Sequence, residues 1–525
     1  MKVLLKNGTI YDGRGGEPYA GDVLIEDDKI LDVAANINAE ADRIIYCAGL
    51  CVAPGFMDAH SHNDFYTEHD NAEKYFAPFL RQGITTQITG NCGFSPFGVD
   101  RASPHRALVG GGLFTAQNPG SFADFITNTE GKLFVNIVPL IGHGSIRTGL
   151  TRFEPAALNQ EQIEKLLSHV DEAMENGAFG GSLGFMYEPG MYSKKDEIYA
   201  FAQRIAKHDG ILTIHPRACS KVALGYPLLF SKPHIELGLD EVADIVKHTG
   251  VRAEYSHLIF VGKSSWKSCK PMLDKFRKLN KQGCSLAYDN YAFTYGASVI
   301  TVILPAWYMA LSKEERSKPS VRFKLKLLIN ATKKLLGLDF CDFTVAYISD
   351  EHRQYEGKTI EQCARDEGLT PFDMYLKLVD LSNGVGRILA GKYYNEDIIL
   401  TLMRDDLSVF MTDAWVERTG VQNGSAFQCF PYFLARAREN KIPLESVIHK
   451  MTGKTAQRFQ IKNRGVLEKG NYADITVFDY AHISVKPETP DYTPKGIRYV
   501  FVNGTALVDD SVYSAARAGK LLLKK

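Results

Sequence analysis

Residues 53–64 read APGFMDAHSHND: a short apolar run that ends in two histidines spaced by one residue. A strand repeats every two residues, so His60 and His62 fall on the same side and a single cation can take both. Three further segments end in the same way. ILTIH closes on His215, VRAEYSH on His257 and LSVFMTD on Asp413. Between such strands lie helical stretches, among them NQEQIEKLLSHVDEAMENG (159–177) and LDEVADIVKHTG (239–250). That alternation is the βα rhythm of a parallel barrel, in which functional side chains collect at the carboxyl ends of the strands. The fold class expected is therefore α/β, a metal-dependent (β/α)8 TIM-like barrel. Histidine and aspartate at four strand ends suit a borderline divalent ion such as zinc, with a position left for water.

Outward from the barrel, the two ends of the chain share another texture. KVLLKNGTIYDG and GDVLIEDDKILDV near the start, and GVLEKGNYADITVFDY and IRYVFVNGTALVDD near the end, alternate apolar and polar residues around turn signals. The expected division is a small β-sandwich domain built from residues 1–53 and 464–525, and a barrel over 54–463. A Lys-rich insertion is expected near 310–350. The whole chain has 525 residues, 45% of them hydrophobic, with 61 Lys+Arg cancelling 61 Asp+Glu. Such a balance gives no global field for nucleic acid or an anionic membrane. The amino terminus lacks the pattern of a signal peptide, and no run of some 18 apolar residues spans a membrane. Nine thinly spread cysteines, an odd number, fit a reduced, cytoplasmic setting.

The sequence resembles the amidohydrolase superfamily and, within it, the D-aminoacylase (N-acyl-D-amino-acid deacylase) family. The likeness covers nearly the whole chain. It is carried by PGFMDAHSHND, GNCGFSPFG, GHGSIR, GGSLGFMYEPGMYS, SHL, DNYAFTYGAS with LPAW, and MTGKTAQRFQIKNRGVLEKGNYADITVFD. Many relatives bridge two metals with a carboxylated lysine, yet no lysine stands between Lys165 and Lys194. The resemblance implies that Cys92, in the GNCG turn, takes that place. Cys92, His215 and His257 would then form a tight zinc site, with His60, His62 and Asp413 at a second, weaker divalent site. It further implies metal-assisted hydrolysis of an amide, with Asp413 as general base and then acid, and Tyr192 directed at the carbonyl oxygen. His143, in GHGSIR, reads as a hydrogen-bonded wall residue.

Departures from the family bear on the substrate. Where a His-Pro-Arg grips the amino-acid carboxylate in relatives, this chain has GVQNGSAF, placing Gln422 and Asn423 there. Ile259 follows SHL in place of a lysine, and Ala218 and Cys219 follow Arg217 in place of an acid. Arg217, Lys263 and Arg418 are the replacement cations available, and Arg217 and Asn423 join Tyr192 as expected substrate contacts. The function implied is zinc-dependent hydrolysis of a linear amide, as N-deacylation of an N-acyl-(D-)amino acid or a related neutral N-acyl compound. Cyclic-amide (dihydropyrimidinase or hydantoinase-like) or dipeptide hydrolysis is the alternative within enzymes. A non-catalytic assembly protein is the alternative of another class, disfavoured because a silent barrel has no reason to keep six candidate ligands. The partner expected is a small N-acyl amide, with a homo-oligomer left open.

Overall fold

The computed structural model describes residues 1–111, 113–223, 226 and 232–524. Eight short strands form the centre of the molecule. They are β1 (Phe56–Asp58), β2 (Ile84–Thr89), β3 (Asn136–Gly142), β4 (Gly180–Gly184), β5 (Ile211–His215), β6 (Arg252–Tyr255), β7 (Leu286–Asn290) and β8 (Ser408–Phe410). Consecutive strands pair in parallel from β1 to β8. Just past their ends β1 and β8 also meet. Ala59 N donates to Phe410 O (3.1 Å), Asp413 N donates to His60 O (3.0 Å), and Ser61 bridges Ala414 in parallel. The eight strands thus close into a barrel. Apart from half-buried Arg252, every residue in them is buried, including polar ones such as Thr86, Gln87, Glu254 and Asp289.

Both ends of the chain enter one nine-stranded sheet. Strands Lys2–Ile10, Tyr19–Glu26, Lys29–Ala34, Arg43–Tyr46 and Cys51–Pro54 come from the start, and Ile475–Phe478, Ile497–Val502, Thr505–Asp509 and Val512–Tyr513 from the end. Cys51–Pro54 pairs with Ile475–Phe478, so the joint between the two ends lies inside the sheet. Val3, Leu5, Val23, Val52, Ile475, Val477 and Phe501 form its apolar core. A buried polar knot ties this sheet to the base of the barrel. The Asn136 amide donates to Asp474 (3.0 Å), Arg464 pairs with Asp474, and the Asn503 amide donates to Asn136 Oδ1 (2.9 Å).

Between β7 and β8 the chain builds a separate module. Strands Gly296–Val299, Phe343–Tyr347 and Arg387–Ala390 make a three-stranded antiparallel sheet, covered by helices that include Pro319–Leu336. The module has its own core around Ile300, Leu325, Val345, Tyr375 and Ile388. Among the described residues no helix is long and apolar enough to cross a membrane.

Candidate metal centre

All six expected ligands sit at the carboxyl ends of barrel strands, and the structure brings them into one cluster. Cys92 Sγ lies 3.3 Å from His60 Nε2, 3.5 Å from His215 Nδ1 and 3.6 Å from His257 Nε2. Asp413 Oδ1 is 3.5 Å from His60 Nε2 and 3.8 Å from His62 Nε2. The set therefore divides into a thiol-centred group and a carboxylate-centred group, and His60 faces both. Ligand atoms of His60, Cys92 and His257, and of His60, His62 and Asp413, converge closely enough for one ion each.

Local backbone geometry explains how residues from such distant positions meet. Cys92, His257 and Asp413 all adopt positive φ, at 55°, 34° and 47°. Non-glycine residues rarely do so, and where they do the strain is held in place by the surrounding structure and tends to mark a functional site. The Cys92 turn is further shaped by Gly90, at φ 82°, because a Cβ there would lie 1.9 Å from the Leu140 carbonyl oxygen. Only glycine lets the turn lie this close to β3. On the opposite side, Asp58 locks the histidine strand to the aspartate strand. Its carboxylate accepts from Thr412 N (2.8 Å), Thr412 Oγ1 (2.6 Å) and His60 N (3.3 Å).

The electrostatics fit a divalent cation. Burial disfavours the charged form of all four histidines and lowers their pKa, so each keeps a lone pair for coordination. Burial, with the nearby carboxylates Asp413 and Asp289, pushes the Cys92 thiol up. Burial also opposes charge on Asp413, but the rings of His62, His60 and His257 turned towards it outweigh that penalty and draw its carboxyl well below the usual range. His60 Nδ1, His62 Nδ1, His215 Nε2, His257 Nδ1 and Asp289 Oδ2 are buried without a hydrogen-bond partner. Each of these nitrogens is the one turned away from the cluster, which leaves Nε2 of His60, His62 and His257 and Nδ1 of His215 to face an ion. Four neutral imidazoles, one thiol and one carboxylate are the donors that a borderline divalent ion takes, and its charge reverses the penalty on the thiolate.

Asp289, on β7, escaped sequence reasoning although it stands in the quoted DNYAFTYGAS stretch. Its Oδ2 lies 3.4 Å from His60 Nδ1, its Oδ1 accepts from His257 N, and its carbonyl accepts from Leu258 N (2.9 Å). One acid thus holds the backbone of His257 and faces the ring of His60. Tyr187 escaped as well. Its ring lies 4.6 Å from that of His215, and its hydroxyl forms no hydrogen bond among the described residues.

The expected substrate contacts stand apart from the cluster. Tyr192, half-buried on a short turn, donates its hydroxyl to Glu188. Arg217 is held by Glu241 through Nε (3.1 Å) and Nη2 (3.0 Å) and by the Met191 carbonyl (3.1 Å), so its charge is already compensated. Asn423 Oδ1 accepts from Ser425 N (3.1 Å) at the start of helix Ser425–Glu439, and Gln422 bonds to the Glu417 backbone. Arg418 and Lys263 are exposed, and neither forms an ion pair among the described residues. His143, at the start of α1 (His143–Thr151), is buried and bonded through Nε2 to Glu197 (2.8 Å).

Comparison with known proteins agrees with this architecture. The family model described as "Amidohydrolase family" matches residues 330–507. The D-aminoacylase of Alcaligenes xylosoxydans xylosoxydans is 25% identical over 99% of this chain and 97% of its own length. The crystal structure of N-acyl-D-glutamate deacylase from Bordetella bronchiseptica, complexed with zinc and a phosphonate inhibitor that mimics the tetrahedral intermediate, superposes with a TM-score of 0.81 at 21% identity. That match covers 99% of both chains. A D-hydantoinase from Thermus sp. superposes with a TM-score of 0.59 at 15% identity over 99% of both chains.

Proposed function

We propose that the chain is a member of the amidohydrolase superfamily and a zinc-dependent hydrolase of linear N-acyl amides, of the D-aminoacylase type. The observation that carries this reading is the thiol-centred cluster of Cys92, His60, His215 and His257 beside His62 and Asp413. A thiolate with imidazoles favours zinc over harder cations. Cys92, His215 and His257 would hold the tight ion, and His60, His62 and Asp413 a weaker one. The similar proteins are named as a D-aminoacylase and an N-acyl-D-glutamate deacylase, and their likeness extends along the whole chain, whereas the hydantoinase superposes less well. Nine unpaired thiols favour a reducing, cytoplasmic setting.

Zinc, when bound, supplies a Lewis acid that acidifies water and polarises the substrate carbonyl. The remaining work falls to side chains. Ionised Asp413 accepts the proton of the attacking water and delivers it to the departing amine nitrogen, the double duty of a general base. Asp289 stands behind the ring of His60 and holds the backbone of His257, and Asp58 fixes the backbone of His60 against Thr412, next to the base. The free phenol of Tyr187, rather than the Glu188-bound phenol of Tyr192, is the better placed to meet a carbonyl oxygen.

Hydrolysis of an N-acyl-D-amino acid and of its C-terminal amide by the zinc-loaded chain tests the reading, with product analysis for a free acid and a free amine. Activity should vanish on chelation and return with zinc. Failure of the zinc-loaded protein to cleave any linear N-acyl amide, or full turnover after chelation, would reject it.

A further inference from the structure

The Lys-rich stretch between β7 and β8 supplies no ligand to the metal centre, and its charge is unlike that of the rest of the chain. Residues 313–336 carry eight Lys+Arg against two Glu, a net charge of +6 in a protein whose total is zero. Most of that charge has no counter-charge beside it. Arg322 pairs with Asp373 (2.6 Å) and Lys333 with Asp339 (2.6 Å). Lys313, Lys318, Lys324, Lys326 and Lys334 are exposed, and none of them forms an ion pair among the described residues.

Helix Pro319–Leu336 sets these cations around an apolar ridge. Leu325, Ile329 and Leu336 are buried in the core of the module and fix one side of the helix. On the other side Phe323, Leu327 and Leu335 are 66%, 56% and 51% exposed. With exposed Ala331 they recur every four residues, which lines them up along the outward face. Lys324, Lys326 and Lys334 stand on the same outward half. Single exposed apolar residues are ordinary on a protein surface, but a row of large ones flanked by cations marks an interaction site.

We infer that the outward face of helix Pro319–Leu336 binds an anionic lipid surface, with Phe323, Leu327 and Leu335 entering the boundary of the acyl chains and the lysines meeting the headgroups. Lys318 and Lys334 lie roughly 24 Å apart along the helix. A counter-charge for all five lysines must be spread over a similar length, as lipid headgroups are and a small anion is not. The ridge needs an apolar medium as well, which a bilayer interface provides and a phosphate backbone does not. A second copy of the chain would set the same cations against one another. The neutral total does not oppose the contact, because at 0.1 M salt screening limits the interaction to about 10 Å and only the local patch is felt. Attachment of this kind is peripheral, since among the described residues no helix is long and apolar enough to cross a membrane. The inference is independent of the amide hydrolysis proposed above.

Flotation of the zinc-loaded full chain with lipid vesicles tests it. The protein should float with vesicles of mixed phosphatidylcholine and phosphatidylserine and not with phosphatidylcholine alone. Raising the salt to 1 M, where the screening length is about 3 Å, should weaken binding by roughly tenfold or more. The triple variant Lys324→Gln, Lys326→Gln, Lys334→Gln loses about fivefold per lysine, on the order of a hundredfold in all. The double variant Phe323→Ser, Leu327→Ser should lose roughly tenfold or more. Both variants change exposed positions only and should keep the wild-type thermal midpoint and zinc content. In Phe323→Trp the added indole should shift its emission to shorter wavelength on phosphatidylserine vesicles. Absence of wild-type binding to those vesicles, equal binding to both kinds, or undiminished binding by both variants would overturn the inference, as would an unshifted emission in Phe323→Trp. Self-association that the double variant abolishes, without vesicle binding, would overturn it too and assign the face to a second copy of the chain.

Discussion

Asp413 combines the lowest carboxyl pKa of the cluster with its greatest exposure, a combination that suits a group which must meet water and substrate. Asp413→Asn keeps the shape but not the proton acceptor, so kcat should fall roughly a hundredfold or more while zinc bound at Cys92 remains. A rise in KM with kcat intact would make Asp413 a binding residue instead. The residues flanking the site also bear on charge. With Arg217 occupied by Glu241 and Asn423 in the clamp position, no buried cation awaits a substrate carboxylate among the contacts described. A charge-assisted hydrogen bond contributes about 1.5 to 3 kcal/mol, so its lack removes the usual discrimination. An N-acyl-D-amino acid and its C-terminal amide should then show comparable kcat/KM for cleavage of the N-acyl bond. A preference above about a hundredfold for the free acid, the scale of a strong charge-assisted contact, would point to exposed Arg418, with Arg418→Met as the variant to measure. The convergence of His60, His62, His215, His257 and Asp413 was legible because strand periodicity and strand ends leave a trace in sequence. Asp289 and Tyr187 left none, since one acid and one ring at unrelated spacings meet the cluster only when the loops are folded.

At the scale of elements, the wall of the barrel beside the cluster depends on one buried ion group. Glu197, on α2 (Lys195–Lys207), accepts from His143 (2.8 Å) and from Arg147 (2.6 Å), both on α1. Burial alone would raise its pKa, but His143 and then Arg147 bring it down to about 2 from 4.5. A carboxyl whose folded pKa is depressed stabilises the protein above its unfolded value, and that stability is lost as pH falls through the folded value. The contribution of Glu197 should therefore be complete above about pH 4.5 and disappear towards pH 2. Glu197→Gln leaves Arg147 buried without its counter-charge and should cost about 3 to 5 kcal/mol at neutral pH, read from urea unfolding. A loss under 1 kcal/mol would show that the group is solvated. The histidine in GHGSIR could be read as a wall residue because it follows an apolar strand. Its partner, more than fifty residues away, could not be inferred from local pattern. The strands of the module between β7 and β8 were also hidden, being only four or five residues long and set among strongly helical, Lys-rich segments.

Across the whole molecule, the chain returns at its end to the barrel base. Ile137 N donates to Lys520 O (3.0 Å), Leu522 N to Ile137 O (2.8 Å), Gly519 N to Leu133 O (2.9 Å) and Lys524 N to Gly177 O (2.8 Å). This segment passes below β3, at the opposite end from the ligands. Removing the chain from Ala518 onward should lower the thermal midpoint by a few degrees with zinc content unchanged; loss of zinc in the same protein would mean that the base of the barrel governs the site. The barrel and the shared terminal sheet were both legible, one from the βα rhythm and the other from matching alternation at the two ends. The closure of β1 on β8 was not, because it rests on contacts such as Asp413 N to His60 O between residues 353 positions apart. The same closure sets the carboxylate group beside the thiol group, and the central claim is that a metal ion there is held by Cys92. Zinc K-edge X-ray absorption on the protein loaded with one equivalent of zinc tests it most directly. A sulfur neighbour should accompany nitrogen donors in the wild type and be absent from Cys92→Ala. Only nitrogen and oxygen neighbours in the wild type would contradict a thiolate-held metal.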